Sequence, residues 1–344
     1  MTINYTKLEY FKNLTAEDIP DTPVAWLHSL SASTVIDFVQ SDDLPWRVIT
    51  TLLHGNEPSG FYAIHKLIKE SAFSELSVNV RIVLGSIEAA QYKPEFTQRY
   101  LTDGMDINRC FGSNSLSQYY LRAQMLASSI RQVEPEAIVD LHNTSGDSPA
   151  FGVSCHQSHQ HLSLTGLFCQ SMIISHIRLG ALMEQDFGCP VVTIECGGAT
   201  KDSSHHLTYK GIVRYLNCED KSNEELAFQV EVIYHPMRVR VVGNTSLAFA
   251  NEAASYASVT LRADIEEVNF INNINGMHIG WVDANGLSNL ELEEPQLHGK
   301  ISDYFAVQDG KLVGDADLRI FMATSRTDIA LNDCLFYIAK HQAI

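Results

Sequence analysis

The sequence has no excess of positive charge, no paired cysteines and no long apolar run, and each absence narrows what the chain does. Its 24 Lys and Arg are outnumbered by 41 Asp and Glu, for a formal net charge of -17 at pH 7. No basic run offsets that balance, which excludes nucleic acid as a partner, because such binding rests on a basic surface. The seven cysteines, at 110, 155, 169, 189, 196, 218 and 334, are odd in number and form no Cys-x-x-Cys pair. A disulfide framework is therefore not expected, and the thiols read as reduced. No apolar stretch reaches the roughly 20 residues of a membrane-spanning helix. Met1-Thr2-Ile3-Asn4-Tyr5 lacks the basic start and apolar segment of a secretory signal, so the expected location is the cytoplasm, with no membrane partner. Internal repeats and low-complexity tracts are also missing.

What is present is enough chain for a large core. A length of 344 residues suggests about two domains. Up to about residue 215, short apolar strands such as Val80 to Leu84 and 137 to 141 alternate with helix-length segments at 115 to 133 and 162 to 178, the texture of an α/β domain. From about 225 the texture turns to short β-rich runs: Phe228 to Tyr234, Met237 to Val242, Ser258 to Leu261, Met277 to Val282, Leu318 to Met322 and Cys334 to Ala339. The polar stretch from Asn217 to Glu225 reads as the linker. The domains are thus expected at 1–216 and 225–344.

Three short motifs carry chemistry. Arg47 to Leu53 is a β-branched, apolar run ending in His54-Gly55-Asn56-Glu57, and Pro58 then suits the first turn of a helix continued by Phe61, Ile64, Leu67 and Ile68. Ala137 to Leu141 is a second strand with His142 at its end, and Pro190 to Ile194 a third with Glu195 at its end. Three strand ends are expected to converge, and in open α/β sheets the crevice outside the strands' carboxyl ends is where ligands bind. His54, Glu57 and His142 form a His₂Glu set, one of the recurring ligand sets of catalytic zinc, which leaves a fourth position open for water. Glu195 is the spare carboxylate that hydrolysis needs as a base. One zinc per chain would lower the pKa of its water toward about 7.

The motifs His54-Gly55-Asn56-Glu57 with Gly60, Asp106-Ile107-Asn108-Arg109, Asp140-Leu141-His142-Asn143-Thr144 and Ile194-Glu195-Cys196-Gly197 resemble those of the succinylglutamate desuccinylase and aspartoacylase family. The likeness covers roughly residues 45 to 200, and Asp-Leu-His-Asn-Thr leans toward the aspartoacylase side. It implies a zinc carboxypeptidase-like mixed sheet flanked by helices, followed by a smaller β-rich domain. It also implies a deacylase that removes the acyl group from a small N-acyl amino acid.

Under that resemblance Glu195 takes the proton of the attacking water and later donates it to the departing amine. Arg99 would polarise the scissile carbonyl. Asn108 and Arg109 would orient the substrate, Arg109 through a planar fork suited to a carboxylate. Arg178 would hold a second carboxylate, and Asp106 and Asp140 would fix a ligand His or an Arg by hydrogen bonding. The tract Cys155-His156-Gln157-Ser158-His159-Gln160-His161 reads as a solvated loop rather than a metal site. A zinc carboxypeptidase acting on short peptides, or a non-catalytic binding protein of the same fold, are the other readings. The acyl group, the amino acid and the oligomeric state are left open by the sequence.

Overall fold

The computed structural model describes residues 6–113, 115–219, 223–293, 299–332 and 334–340. Met1 to Tyr5 and, within the expected linker, Asp220 to Ser222 lie outside the described residues. Nine strands form one mixed sheet: β1 (Leu8–Lys12), β2 (Ser33–Phe38), β3 (Trp46–Thr51), β4 (Asn79–Leu84), β5 (Ala137–Thr144), β6 (Phe151–Ser154), β7 (Ser171–Ile174), β8 (Val191–Gly198) and β9 (Glu231–Tyr234). Their order is β1-β2-β4-β3-β5-β8-β6-β7-β9. β3 pairs in parallel with β4 and β5, whereas β2 and β4, and β6 and β8, run antiparallel.

The central strands are apolar on both faces because both faces are covered. α1 (Pro23–Ser29), α2 (Ser59–Lys69), α5 (His159–Gly166) and α6 (Asp202–Asn217) share one core with Ile49, Ile82, Val139 and Ile194. The short α3 (Ile87–Ala90) adds Ile87 and Ala90 to it. On the other face α4 (Gln118–Arg131) packs with Val48, Val83, Ile138 and Val191. Adjacent residues such as Val48 and Ile49 thus enter different cores, as the two-residue period of a strand requires.

The elements differ from their sequence expectation in instructive places. β5 continues through His142, Asn143 and Thr144, and β8 through Glu195 to Gly198, so His142 and Glu195 lie within strands rather than just past them. The polar extension stands because its side chains find partners, Asn143 on Ser59 and Gly197, and His142 on Asp140. β3 stops earlier, at Thr51, and Leu52 at φ 53° turns the chain out of the sheet before His54. The helix-length segment expected over 162–178 is divided, α5 ending at Gly166 and Ser171–Ile174 forming a strand beside β6. Strand pairing outweighs local periodicity there.

By contact the chain divides into two compact units, residues up to Asn143 with Ala150–Val232, and Thr144–Pro149 with Ile233 onward. They do not part in the polar stretch at 217–225, because α7 (Glu224–Phe228) packs on α5, Leu226 standing against Gly166. Of the run from Phe228 to Tyr234, only Glu231–Tyr234 is strand, and it edges the nine-stranded sheet. The second unit is β-rich, with a four-stranded antiparallel sheet in the order Leu290–Leu292, Met237–Val241, Phe336–Lys340, Leu318–Phe321. Its five-stranded sheet runs Leu247–Ala250, Val259–Arg262, His278–Val282, Lys311–Gly314, Phe305–Gln308. Val239, Leu261, Ile279, Leu312, Ile320 and Phe336 form its core. All seven cysteines are thiols, and among the described residues no helix is long and apolar enough to cross a membrane.

Candidate active site

Strand periodicity gathers the polar side chains on one face. Thr50, Asp140, His142, Thr193 and Glu195 alternate with Ile49, Val139, Leu141, Ile194 and Cys196, which enter the α2 and α6 core. The five polar residues therefore share the face that α4 covers further back along the strands, at Val48, Ile138 and Val191. His54 arrives from the turn after β3, and Glu57 precedes α2, whose N-cap is Pro58. Gly60 lets α2 press onto the sheet, since a Cβ there would stand 2.3 Å from Thr51 Oγ1.

His54, Glu57 and His142 are buried, at 3%, 5% and 2% exposure, and one potential ligand atom from each lies within 4.8 Å of the others. The two Nδ1 atoms are 3.2 Å apart. Glu57 Oε1 stands 2.8 Å from His54 Nδ1, and its Oε2 2.6 Å from His142 Nδ1. The far nitrogens are anchored: His54 Nε2 donates to Asp106 Oδ1 at 2.9 Å, and His142 Nε2 to Asp140 Oδ2 at 2.9 Å. Ionised carboxylates only accept, so each Nε2 donates outward, and Nδ1 is the ring nitrogen that each histidine turns toward Glu57.

The electrostatics of the cluster call for positive charge at that point. Burial alone would raise the Glu57 carboxyl and lower the His142 imidazole, yet Glu57 is held well below the usual range by His54 and His142. His142 is correspondingly pushed well above its ordinary value by Asp140 and Glu57. Burial would raise Asp106 as well, but His54, Arg99 and Arg109 pull it down. The donor set fits zinc: two nitrogens each about 2.05 Å from a tetrahedral ion stand about 3.3 Å apart, close to the observed 3.2 Å.

Glu195 differs from every other carboxylate here. Its Oε2 is buried and has no hydrogen-bond partner among the described residues. Burial raises its pKa to about 7, with Glu57 adding to the rise and His142, His54 and Arg99 opposing it. A buried orphan oxygen is costly unless it has work to do, and a carboxyl poised near neutrality is suited to taking and returning a proton.

The remaining expected residues separate. Arg99 is brought to the cluster: its Nε donates to Asp106 Oδ2 at 2.9 Å and its Nη1 to Glu57 Oε1 at 3.3 Å, with a third of the side chain exposed. Asp106 caps the turn of Ile107–Arg109 by accepting from Asn108 N, so it orients His54 and Arg99 at once. Asn108 uses its Oδ1 on Leu182 N. Arg109 donates to Asn108 O at 2.9 Å and forms no ion pair among the described residues. Arg178 is exposed and hydrogen-bonded to Cys155, just past the end of β6, while Gly180, two residues on, stands against Arg109 O. The His-rich tract forms the capped start of α5, Ser158 holding His161, and brings no metal cluster together among the described residues.

Three residues that shape the site carry no sequence signal as single side chains. Thr50 and Thr193 hold Asp140 from the flanking strands, and Ser59 meets Asn143. Only the pairing of distant segments exposes them.

Comparison with known proteins falls on the same residues. Residues 45–210 match the succinylglutamate desuccinylase/aspartoacylase catalytic domain. No curated protein matches the chain. Among solved structures, the fold is similar to succinylglutamate desuccinylase from Vibrio cholerae, with TM-score 0.55, 12% identity, and 93% of this chain and 94% of that one covered. It is similar also to succinylglutamate desuccinylase/aspartoacylase from Rhodobacter sphaeroides, with TM-score 0.54, 15% identity and coverage of 90% and 88%. Murine aminoacylase 3 gives TM-score 0.52, 15% identity and coverage of 88% and 96%. The matched segment contains His54, Glu57, His142 and Glu195 in the four motifs read from the sequence, and over residues 45–210 the chain is similar to the succinylglutamate desuccinylase/aspartoacylase catalytic domain.

Proposed function

We propose that the protein is a zinc-dependent amidohydrolase that cleaves an N-acyl amino acid to a carboxylate and a free amino acid. The observation that carries this reading is the convergence of His54, Glu57 and His142 near a carboxylate oxygen of Glu195 that no group among the described residues engages. His54, Glu57 and His142 would hold one zinc per chain through two Nδ1 atoms and a carboxylate. A zinc ion there supplies Lewis acidity that makes water a nucleophile near neutral pH and withdraws electrons from a carbonyl.

The chain's own groups do the rest. Glu195 Oε2 takes a proton from the attacking water and returns it to the nitrogen of the departing amine, one group serving both steps. Arg99, oriented by Asp106 and Glu57 with part of its fork accessible, stabilises the oxyanion as charge develops on the carbonyl oxygen. Arg109, whose Nη1 is held by Asn108 O, would offer the rest of its guanidinium to the substrate carboxylate, and the Asn108 amide nitrogen would serve as a second donor. All these groups come from the compact unit formed by residues up to Asn143 with Ala150–Val232, which we assign as catalytic, and the seven thiols suit a reducing compartment such as the cytoplasm.

A panel of N-acetyl, N-succinyl and N-formyl amino acids, assayed for free amine beside short peptides, tests the reading. Release of amine from one acyl class with peptides untouched is the expected result. Cleavage of peptides alone would make the protein a carboxypeptidase, and a zinc-loaded protein inert toward both sets would make it a binding protein.

A further inference from the structure

We infer that Asn143 is a positioning residue that ties the segments bearing Glu57, His142 and Glu195 to one another, an inference that rests on the hydrolase reading above. The side chain is 4% exposed and its amide is engaged on both sides. Nδ2 donates to Ser59 Oγ and to Gly197 O, each at 2.8 Å, while Oδ1 accepts from Ser59 N at 3.1 Å. The main-chain N of Asn143 donates to Glu57 Oε2 at 3.3 Å.

Every one of these bonds ends on a segment that carries a site group. Ser59 opens α2, two residues after Glu57, and its N-cap Pro58 provides no side-chain acceptor for the first helical N–H groups. Asn143 Oδ1 takes that place from across the sheet. Gly197, at φ 93°, lies two residues after Glu195 on β8. His142 is the residue before Asn143. Ser59 Oγ accepts from Asn143, so its own proton is directed to His205 Nδ1 at 2.8 Å, which carries the tie into α6.

The residue type follows from this pattern. Both amide hydrogens are used, one on a hydroxyl and one on a main-chain carbonyl. An aspartate of the same shape would accept from Ser59 N but would set an oxygen against Gly197 O, and an unpaired or repelled buried carbonyl is costly. The tie on β8 would then open while the rest of the sheet keeps its apolar core. Release of that tie changes the spacing between the base and the metal ligands, and catalysis is sensitive to displacements of an ångström.

The test compares wild type with Asn143→Asp and with Ser59→Ala, which removes only the hydroxyl. Zinc content, Tm, kcat and KM on the best substrate of the acyl panel are measured, with hydrogen exchange of the metal-free proteins. Asn143→Asp is expected to fold and keep its zinc, with Tm lowered by only a few degrees, while kcat falls by about 10- to 100-fold and KM changes by less than about threefold. Exchange across residues 195–198 should quicken by about tenfold with α4 unchanged. Ser59→Ala should show the same kcat loss to a smaller degree. Wild-type kcat per zinc-loaded molecule in Asn143→Asp overturns the inference, and so does activity lost only in proportion to folded protein. If Asn143→Asp does not fold, wild-type kcat in Ser59→Ala overturns it. If the wild type hydrolyses nothing on the panel, the hydrolase reading falls separately, and unchanged exchange at 195–198 in Asn143→Asp then overturns the tie itself.

Discussion

Asp140 Oδ2 accepts the Nε2 proton of His142 at 2.9 Å from two residues back on the same face of β5. The same buried carboxylate accepts from Thr50 Oγ1 at 2.5 Å and from Thr193 Oγ1 at 3.3 Å, on the strands to either side. Three strands thereby set the tautomer of one imidazole. Asp106 does the equivalent for His54 from a loop, with Arg99 on its other oxygen. A carboxylate behind a histidine fixes ring orientation and raises its basicity toward a metal.

Asp140→Asn therefore tests the support of the metal site. The amide keeps the shape but removes the charge facing His142, and zinc affinity is expected to fall by about 10- to 100-fold. Chelator competition measures it, and unaltered affinity would mean the carboxylate serves the fold alone.

The ligand set makes a stoichiometric prediction. Purified protein is expected to carry about one zinc per chain, and Ala at His54, Glu57 or His142 should abolish this binding. Elemental analysis decides the matter, with full occupancy in all three variants removing the assignment.

Glu195 makes a prediction about pH. Its carboxyl titrates at about 7, raised chiefly by burial, and only the ionised form can take a proton. Turnover should hold above that value and decline as pH falls through it. Glu195→Gln should retain zinc, lose roughly 10²-fold or more in kcat, and lose the acidic limb of the kcat/KM profile. The limb reports the coupled site as a whole if the metal's water titrates with it. A normal rate in this variant, with metal bound, would assign the base elsewhere.

Arg109 and Arg178 should respond in opposite ways. Lys in place of Arg109 keeps charge and loses the two-point grip, so KM should rise by about tenfold with zinc content unchanged. Arg178→Ala should behave as wild type, because that side chain is exposed and hydrogen-bonded to Cys155. Steady-state kinetics on both variants would expose a reversed assignment at once.

The β-rich second half could be anticipated from its alternating, turn-punctuated runs, yet several of its strands are three or four residues long. Leu247–Ala250, Leu290–Leu292, Phe305–Gln308 and Lys311–Gly314 are too short for a period to register, and only pairing defines them. Ser171–Ile174 was hidden in the same way, within a segment whose local pattern suits a helix.

By itself the sequence determined the chemical character of the site: two histidines and a glutamate at motif spacing, a further glutamate, and arginines available for anions. Those choices are legible because a residue's acidity and ligand atoms belong to its side chain wherever the chain runs. It also determined the mixed α/β architecture, since apolar runs long enough to be strands or helices state their own period. The tertiary structure alone decided which groups stand together. The bond between Asn143 and Ser59 joins residues 84 apart and that between Asn143 and Gly197 residues 54 apart. Such relations depend on strand order and direction, which arise from the packing of the whole sheet, and no local pattern encodes them.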